Sequence, residues 1–550
     1  MNVAQAVVEC LEKLGVRRAY GLIGTSILDL VDATKDTKIR YISTRHEQVA
    51  VSMADAEGRL TGNPGIAYIH GGPGFLNSLI SVANAYKDSS PLLMIAGAVK
   101  RRLSGLDSWL EVPQLDMVKP IVKAALRIDR PAQVGKVIGE AYYAAMSPPK
   151  GPIFVEVPED VWRLEGANTE GVSAELKTAP AIGQDYIGKV VELLRKSTKP
   201  MILVGGGLNH LEGTQILTGF VEKFRIPVAS TGNGRGVLPE DNPLSLGRIG
   251  FGGGNTIADS ALEEADLVIA LGAGISDVTT YGYNIVPKGD VVVVDLDPLA
   301  MNKPVPYAMH LYADATSFLE QLSKSVISYA PSDEWFQFIE KKREFWNNLL
   351  EGAMAWNPKG YVNASNFFKV LDAKLPKDVL ITAGQGVHIL YTFAFLKIRR
   401  YHGFLAATNL GAMGFAFPAA LGAKVVQPER EVVAVLGDGE FLMTLQDLET
   451  AVREKIAVKV IVVNDSSYRV LLMRQKMQKA GRVFGTVHTN PDMSKLADAF
   501  GVMSMVVADN TQVEAATDFI LARTEKPRIL ELKVSQEDIP PFNMEASLKF

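Results

Sequence analysis

A chain of 550 residues is too long for one hydrophobic core, so two or three domains are expected. It is 47% apolar and 21% charged with a net charge of −4, an ordinary globular composition that gives no argument for nucleic acid or an anionic membrane as a partner. The single cysteine, Cys10, excludes an intrachain disulfide and fits a reducing cytoplasm; no signal peptide is visible, and no apolar run nears the ~20 residues that span a bilayer.

Val3, Val7, Cys10, Leu11 and Leu14 share one face of an expected first helix, which places Cys10 in core packing. From there to about residue 160, strand-like and helical segments alternate. Arg18–Gly24 reads as a short strand ending in a glycine turn. Lys38–Ile42 is a second strand, leading through Arg45-His46-Glu47-Gln48 into a helix that runs to about Leu60. Gly65–His70 is a third, followed by Gly71-Gly72-Pro73-Gly74 and another helix; Pro91–Gly97 and Pro152–Pro158 complete a doubly wound α/β domain.

Residues 161–183 are polar and irregular, which suits a linker. A second α/β domain is expected over 184–330, with strands Met201–Val204, Leu267–Ala270 and Val291–Asp295. Gly205-Gly206-Gly207 after the first of these falls short of a dinucleotide fingerprint. An aromatic, charged helix within 326–360 makes a second connection. The third domain is expected over 361–535, and the tail 536–550, with Pro540-Pro541, is read as irregular.

The third domain carries the most informative stretch. Val432–Leu436 is an apolar run ending in Gly437-Asp438-Gly439; a helical segment follows, then Val458–Val463 and Asn464-Asp465-Ser466-Ser467-Tyr468. Two buried parallel strands joined by a crossover helix explain the pattern, and ligands bind at the carboxyl ends of such strands. Asp438 and Asp465 offer hard carboxylate oxygens and Asn464 an amide oxygen, which suits Mg²⁺ held against a diphosphate. Gly437 and Gly439 let backbone approach the phosphates. The competing reading is that these residues merely close turns.

The joint spacing resembles the signature of thiamine diphosphate (ThDP) enzymes, which usually carry Asn-Asn where this chain has Asn464-Asp465. The resemblance extends over the whole chain, to the branch of acetolactate synthase, benzoylformate decarboxylase, benzaldehyde lyase and oxalyl-CoA decarboxylase. It implies three doubly wound parallel-sheet domains, namely a pyrimidine-binding domain (1–160), a central domain (184–330) and a diphosphate-binding domain (361–535). It also implies an active site between the first domain of one subunit and the third of another, hence a homodimer or homotetramer. The metal ligands it implies are Asp438, Asp465 and the Ser467 carbonyl. Glu47 matches the family glutamate that exchanges a proton with the cofactor's pyrimidine, and Met413, in Asn409–Phe415 with Gly411, the apolar prop beneath the bent cofactor. Gln385, Gly386, Val387 and His388, after the strand Val379–Thr382, match the other diphosphate loop. Gly439, Glu440 and Tyr468 complete the expected cofactor contacts. His70, one of seven histidines, stands where benzoylformate decarboxylase has a histidine that handles protons; Thr25, Ser26 and Gln114 fall at substrate-side positions, and His46 is expected to orient Glu47 or pack.

The chain also departs from the pattern. Ala273–Val278 lacks both arginines that serve flavin and substrate in acetolactate synthases, which counts against FAD in the central domain and against acetolactate formation; ADP or CoA there goes with the acyl-CoA alternative. Arg474 replaces the tryptophan of the second-substrate pocket, and Arg469 and Arg474 are either anion ligands or solvated helix charges. The resemblance implies a cytoplasmic, ThDP- and Mg²⁺-dependent enzyme that makes or breaks a bond next to a carbonyl, an acetolactate-synthase-like decarboxylase or carboligase acting on a 2-oxo acid. A 2-hydroxyacyl-CoA lyase or oxalyl-CoA decarboxylase type acting on an acyl-CoA is the alternative. A non-catalytic binding or regulatory subunit is the alternative of another class; intact Glu47, Asp438 and Asp465 argue against it.

Overall fold

The computed structural model describes residues 1–172, 182–300 and 303–549. Its core is three six-stranded sheets, parallel throughout. The first holds β1 (Arg18–Leu22), β2 (Arg40–Ser43), β3 (Gly65–Ile69), β4 (Leu92–Ala98), β5 (Ala124–Arg127) and β6 (Pro152–Pro158), in the order β2-β1-β3-β4-β6-β5. The central sheet holds β7 (Pro200–Val204), β8 (Val228–Ser230), β9 (Ser245–Arg248), β10 (Leu267–Leu271), β11 (Asp290–Asp295) and β12 (Tyr307–Tyr312), ordered β12-β11-β10-β7-β8-β9. The last holds β13 (Leu380–Ala383), β14 (Phe404–Ala406), β15 (Val432–Gly437), β16 (Lys459–Asn464), β17 (Met503–Val507) and β18 (Arg528–Lys533), ordered β14-β13-β15-β16-β18-β17.

Renumbered from their own first strand, the first and third sheets have the same wiring, 2-1-3-4-6-5, and the central sheet has the dinucleotide-fold order 3-2-1-4-5-6. The central strands are fully buried runs of Val, Ile, Leu and Ala, as sheets covered on both faces require.

Two constraints fix the domains against one another. The helices Glu47–Thr61 and Ala416–Val426 pack at backbone contact: a Cβ on Gly422 would stand 2.5 Å from the Met53 carbonyl oxygen. One apolar core therefore runs through the first and third domains without a break. Where all three domains meet, the Asp88 carboxylate accepts from Asn233 of the central domain (3.0 Å), from Thr408 (2.9 Å) and Asn409 (2.7 Å) of the third, and from Arg59 (3.1 Å) of the first. Arg59 also binds Asp55 and the Ala406 carbonyl, and its guanidinium lies 5.0 Å from the centroid of the Phe415 ring. At the outer rim Arg45 and Arg40 pair with Glu449 and Glu454 across the same interface.

Two expected irregular stretches are partly corrected. Of the linker 161–183, residues 173–181 lie outside the described residues, but Val161 and Trp162 are core: the Trp162 indole is fully buried and donates to the Ser26 carbonyl at 2.7 Å. In the tail, 536–543 is irregular as expected but anchored, since Asn543 donates to Asp259 (2.9 Å) and to the Gly254 carbonyl (3.1 Å); a helix, Met544–Lys549, follows, and Phe550 lies outside the described residues. In the second connection, the helix Asp333–Ala355 buries Trp335, Ile339 and Trp346 against the central domain. Among the described residues no helix is long and apolar enough to cross a membrane.

Asp88→Ala removes the one acceptor shared by all three domains and is expected to cost about 3 kcal/mol of stability. The urea midpoint measures this; a loss under about 1 kcal/mol would show that the junction is held elsewhere.

Candidate active site

In a 2-1-3-4-6-5 sheet, strands 1 and 3 are neighbours whose crossovers leave to opposite faces, and the crevice beyond their carboxyl ends is where ligands bind. The expected residues stand there in both outer domains. Thr25 and Ser26 follow β1 and His70 follows β3; Gln385–His388 follow β13 and Gly437–Glu440 follow β15.

In the first domain, Glu47 opens its helix and is only 6% exposed. Its Oε2 accepts from Asn77 at 3.0 Å. His46 caps the same helix, Nδ1 accepting from Gln48 N, so it shapes the approach to Glu47 without joining a ligand set. His70 and Glu47 flank Gly74, where a Cβ would meet Glu47 Oε1 at 2.9 Å and His70 Cβ at 3.1 Å. Ser26 Oγ accepts from Gly71 N (2.9 Å) and lies 2.8 Å from His70 Nδ1. Burial pulls the His70 pKa below its usual value, with nearby Glu47 opposing, so the ring is neutral at pH 7. Thr25 is exposed at the mouth of this group. Gln114 is 2% exposed; its Oε1 accepts from Gly72 N (2.9 Å), and its amide donates to Gly97 O (3.0 Å) and Glu156 (2.7 Å). It holds the Gly71–Gly72 loop and has no donor left for a substrate.

In the third domain the organiser is Glu440. Its buried carboxylate accepts from Gln385 N (2.7 Å), Gly414 N (3.0 Å) and Ala416 N (3.4 Å). One side chain thereby joins the 384–388 loop, the Met413 segment and the Gly437–Glu440 turn. His388 stands between the two glycine loops, since a Cβ on Gly386 or on Gly437 would come within 2.9 Å of its Nδ1. Val387 begins the helix behind the loop and is buried. Gly439 lies against the Tyr468 ring, where a Cβ would meet Cε1 at 2.7 Å. Met413 is half-buried between Gly411 and Gly414, both at positive φ, and its carbonyl accepts from Gln48 of the first domain at 3.4 Å.

Asp438 and Asp465 face one another closely enough for their charges to interact; burial raises the Asp465 pKa and Arg469 opposes that rise. Ser467 donates to Asp465 Oδ1, and Ser466, at positive φ, turns the loop so that its carbonyl accepts from His488 N (3.0 Å). The donor set fits a divalent ion on a diphosphate: two carboxylates, a loop carbonyl at Ser467, backbone bare of side chains at Gly386, Gly437 and Gly439, and a buried His388 Nε2 without a hydrogen-bond partner. Among the described residues no three His, Cys, Asp or Glu side chains converge as a metal site.

Two residues that bear on Asp438 were missed. His488 Nε2 lies 2.9 Å, and Asn490 Nδ2 2.6 Å, from its Oδ2. They sit 50 and 52 residues away in an irregular segment, and no spacing rule connects them. Of the two arginines, Arg469 is buried and committed to Asp465, so it is neither solvated nor free for an anion; Arg474 is exposed. Within one chain and among the described residues, no hydrogen bond or ion pair links Glu47 or His70 to the Asp438–Asp465 group.

Comparison with known proteins also gives three domains in this order. Family models for thiamine pyrophosphate enzymes match residues 1–119 (N-terminal TPP binding domain), 187–322 (central domain) and 384–532 (C-terminal TPP binding domain). A probable acetolactate synthase large subunit of Methanocaldococcus jannaschii is 30% identical, over 98% of this chain and 93% of its own length. The acetolactate synthase isozyme 2 large subunit of Escherichia coli is also 30% identical, over 98% and 97%. The acetolactate synthase large subunit of Lactococcus lactis is 29% identical, over 97% and 93%.

Glu440→Ala leaves three backbone donors without their acceptor and is expected to destabilise the protein by about 2–3 kcal/mol and to weaken cofactor binding about tenfold or more. Thermal unfolding with and without added ThDP measures both; an unchanged ThDP-induced shift would mean the loops hold their places without Glu440.

Proposed function

The chain belongs to the thiamine pyrophosphate enzymes, in their acetolactate-synthase-like branch, and from that premise we propose that it decarboxylates a 2-oxo acid and passes the remaining carbon fragment to a proton or a second carbonyl compound. What carries this reading is the coexistence of two complete halves of a site: a buried Glu47 beside a neutral His70, and the Asp438–Asp465 pair beside glycine-lined loops.

When bound, ThDP supplies a thiazolium that takes up the electron pair left at the carbonyl carbon. Glu47 contributes a carboxylate that holds or gives up a proton at Oε1, its Oε2 being fixed by Asn77. His70, with Nδ1 engaged by Ser26, keeps Nε2 for a proton of the substrate. Asp438, Asp465 and the Ser467 carbonyl hold magnesium, and His388 with the amides of the 384–388 and 437–440 loops receives the phosphates. Met413 and Tyr468 wall the space between them.

We further propose a cytoplasmic homodimer or homotetramer in which the first domain of one copy completes the third domain of another. Leu76, Ile80 and Tyr86 form an exposed apolar stripe on the helix Pro73–Lys87, the same helix that supplies Asn77 to Glu47, and Trp109 and Phe484 are 80% and 91% exposed. The dinucleotide-type order of the central sheet supports a nucleotide there, FAD or ADP, despite the absence of arginine in Ala273–Val278.

Mass spectrometry of small molecules released from the native protein is expected to find ThDP. Its absence after reconstitution with Mg²⁺ would overturn the reading, and FAD, ADP or a CoA beside it would identify the guest of the central domain. Glu47→Gln is expected to lower turnover of a 2-oxo acid by roughly 10²–10⁴-fold while ThDP stays bound. Retained turnover would remove Glu47 from the chemistry. Co-expression of Glu47→Gln and Asp438→Asn chains should restore part of the activity that each lacks alone, as a shared site requires.

A further inference from the structure

Asp465 occupies the place where ThDP enzymes usually carry asparagine, so this chain brings two carboxylates to a metal that relatives with asparagine meet with one. An added negative charge in a buried loop needs compensation from the protein whenever the metal is away. The structure shows where it comes from. Arg469, four residues on and first in the helix Arg469–Gln478, has a side chain only 2% exposed, and its Nε lies 2.6 Å from Asp465 Oδ2. The same guanidinium donates to the carbonyls of Ser535 (3.2 Å) and Asp538 in the C-terminal tail. Gln536 adds a bond from the tail to the Asp465 carbonyl at 3.0 Å, and Tyr391 OH donates to the Asp538 carbonyl at 3.1 Å. Arg469 is therefore shared between one metal-loop carboxylate and the chain just beyond β18.

We propose that Arg469 is a positioning residue that gives Asp465 the charge balance of the asparagine it replaces, and that through Ser535 and Asp538 it couples the metal loop to the seating of the C-terminal tail. The proposal rests on the ThDP reading above. Neutralised by Arg469, Asp465 grips a divalent cation about as an amide-bearing loop would; freed of Arg469, it grips harder. Without Asp465, Arg469 loses its ion-pair partner and keeps only the nearby Asp538 carboxylate, so the loop carries less negative charge toward the metal and the tail contacts loosen.

The test compares wild type, Arg469→Met, Asp465→Asn and Asp465→Asn/Arg469→Met. The readouts are the Mg²⁺ concentration that half-saturates ThDP binding, followed by circular dichroism, the thermal midpoint of metal-free protein, and the rate at which protease cuts after Val534. Arg469→Met is expected to lower the half-saturating Mg²⁺ about tenfold and to speed tail cleavage in metal-free protein. Asp465→Asn is expected to raise the half-saturating Mg²⁺ about tenfold or more and to lower the metal-free midpoint; the double variant is expected to return both toward wild type. A double variant no better than Asp465→Asn in either readout overturns the proposal, and that comparison stands even if Arg469→Met alone fails to fold. Wild type that takes up no ThDP at any Mg²⁺ concentration overturns the parent reading instead.

Discussion

Glu440 buries a negative charge among backbone N–H groups, and the third-domain loops take their positions from that single satisfied carboxylate. A buried carboxylate without donors would be expelled or protonated; without the acceptor, one N–H of the 384–388 loop and two of the Met413 segment would be stranded. Each requirement answers the other, so one carboxylate ties the 384–388 loop and the Met413 segment to the Gly437–Glu440 turn. The Asp88 junction works on the same principle at larger scale, because donors from three domains converge on one acceptor. Asn409, which opens the Met413 segment, is one of those donors. The geometry of the site is thus tied to the geometry of the domains through a few residues between Thr408 and Ala416.

The two halves of the site use electrostatics differently. Around Glu47 the protein supplies a neutral imidazole, held neutral by burial, and an amide donor from Asn77. Around Asp438 it supplies an ion pair, Arg469 with Asp465, and side-chain hydrogen-bond partners, His488 and Asn490, on the other carboxylate. Proton transfer is served by groups that can change charge at little cost, and cation binding by groups that cannot.

Much of this was legible in the sequence because it is local. The buried strands β3, β4, β15 and β16 announce themselves as continuous apolar runs, and each candidate residue at the strand ends is within a few residues of such a run. The edge strands β5, β9 and β12 did not, since half-buried four- to six-residue segments such as Ala124–Arg127 mix polar and apolar residues as a loop does. Contacts over long separation were likewise invisible. Nothing near Gln114 says that Glu156 and Gly72 will consume its amide, and nothing near Asp438 points to His488 and Asn490. The tail looked irregular because its order comes from Arg469 and Asp259, partners outside it, and not from its own periodicity.

The repeated wiring of the outer sheets has a consequence for descent. Two domains of one chain that share the order 2-1-3-4-6-5 and meet helix to helix at Gly422 and Met53 have the form left by duplication of one ancestral unit. Such a duplication begins with two equivalent crevices, of which only one need keep an anion. The two crevices now differ: glycines and carboxylates stand after β13 and β15, a glutamate and an imidazole beside β1 and β3. The central unit, wired differently, interrupts the pair.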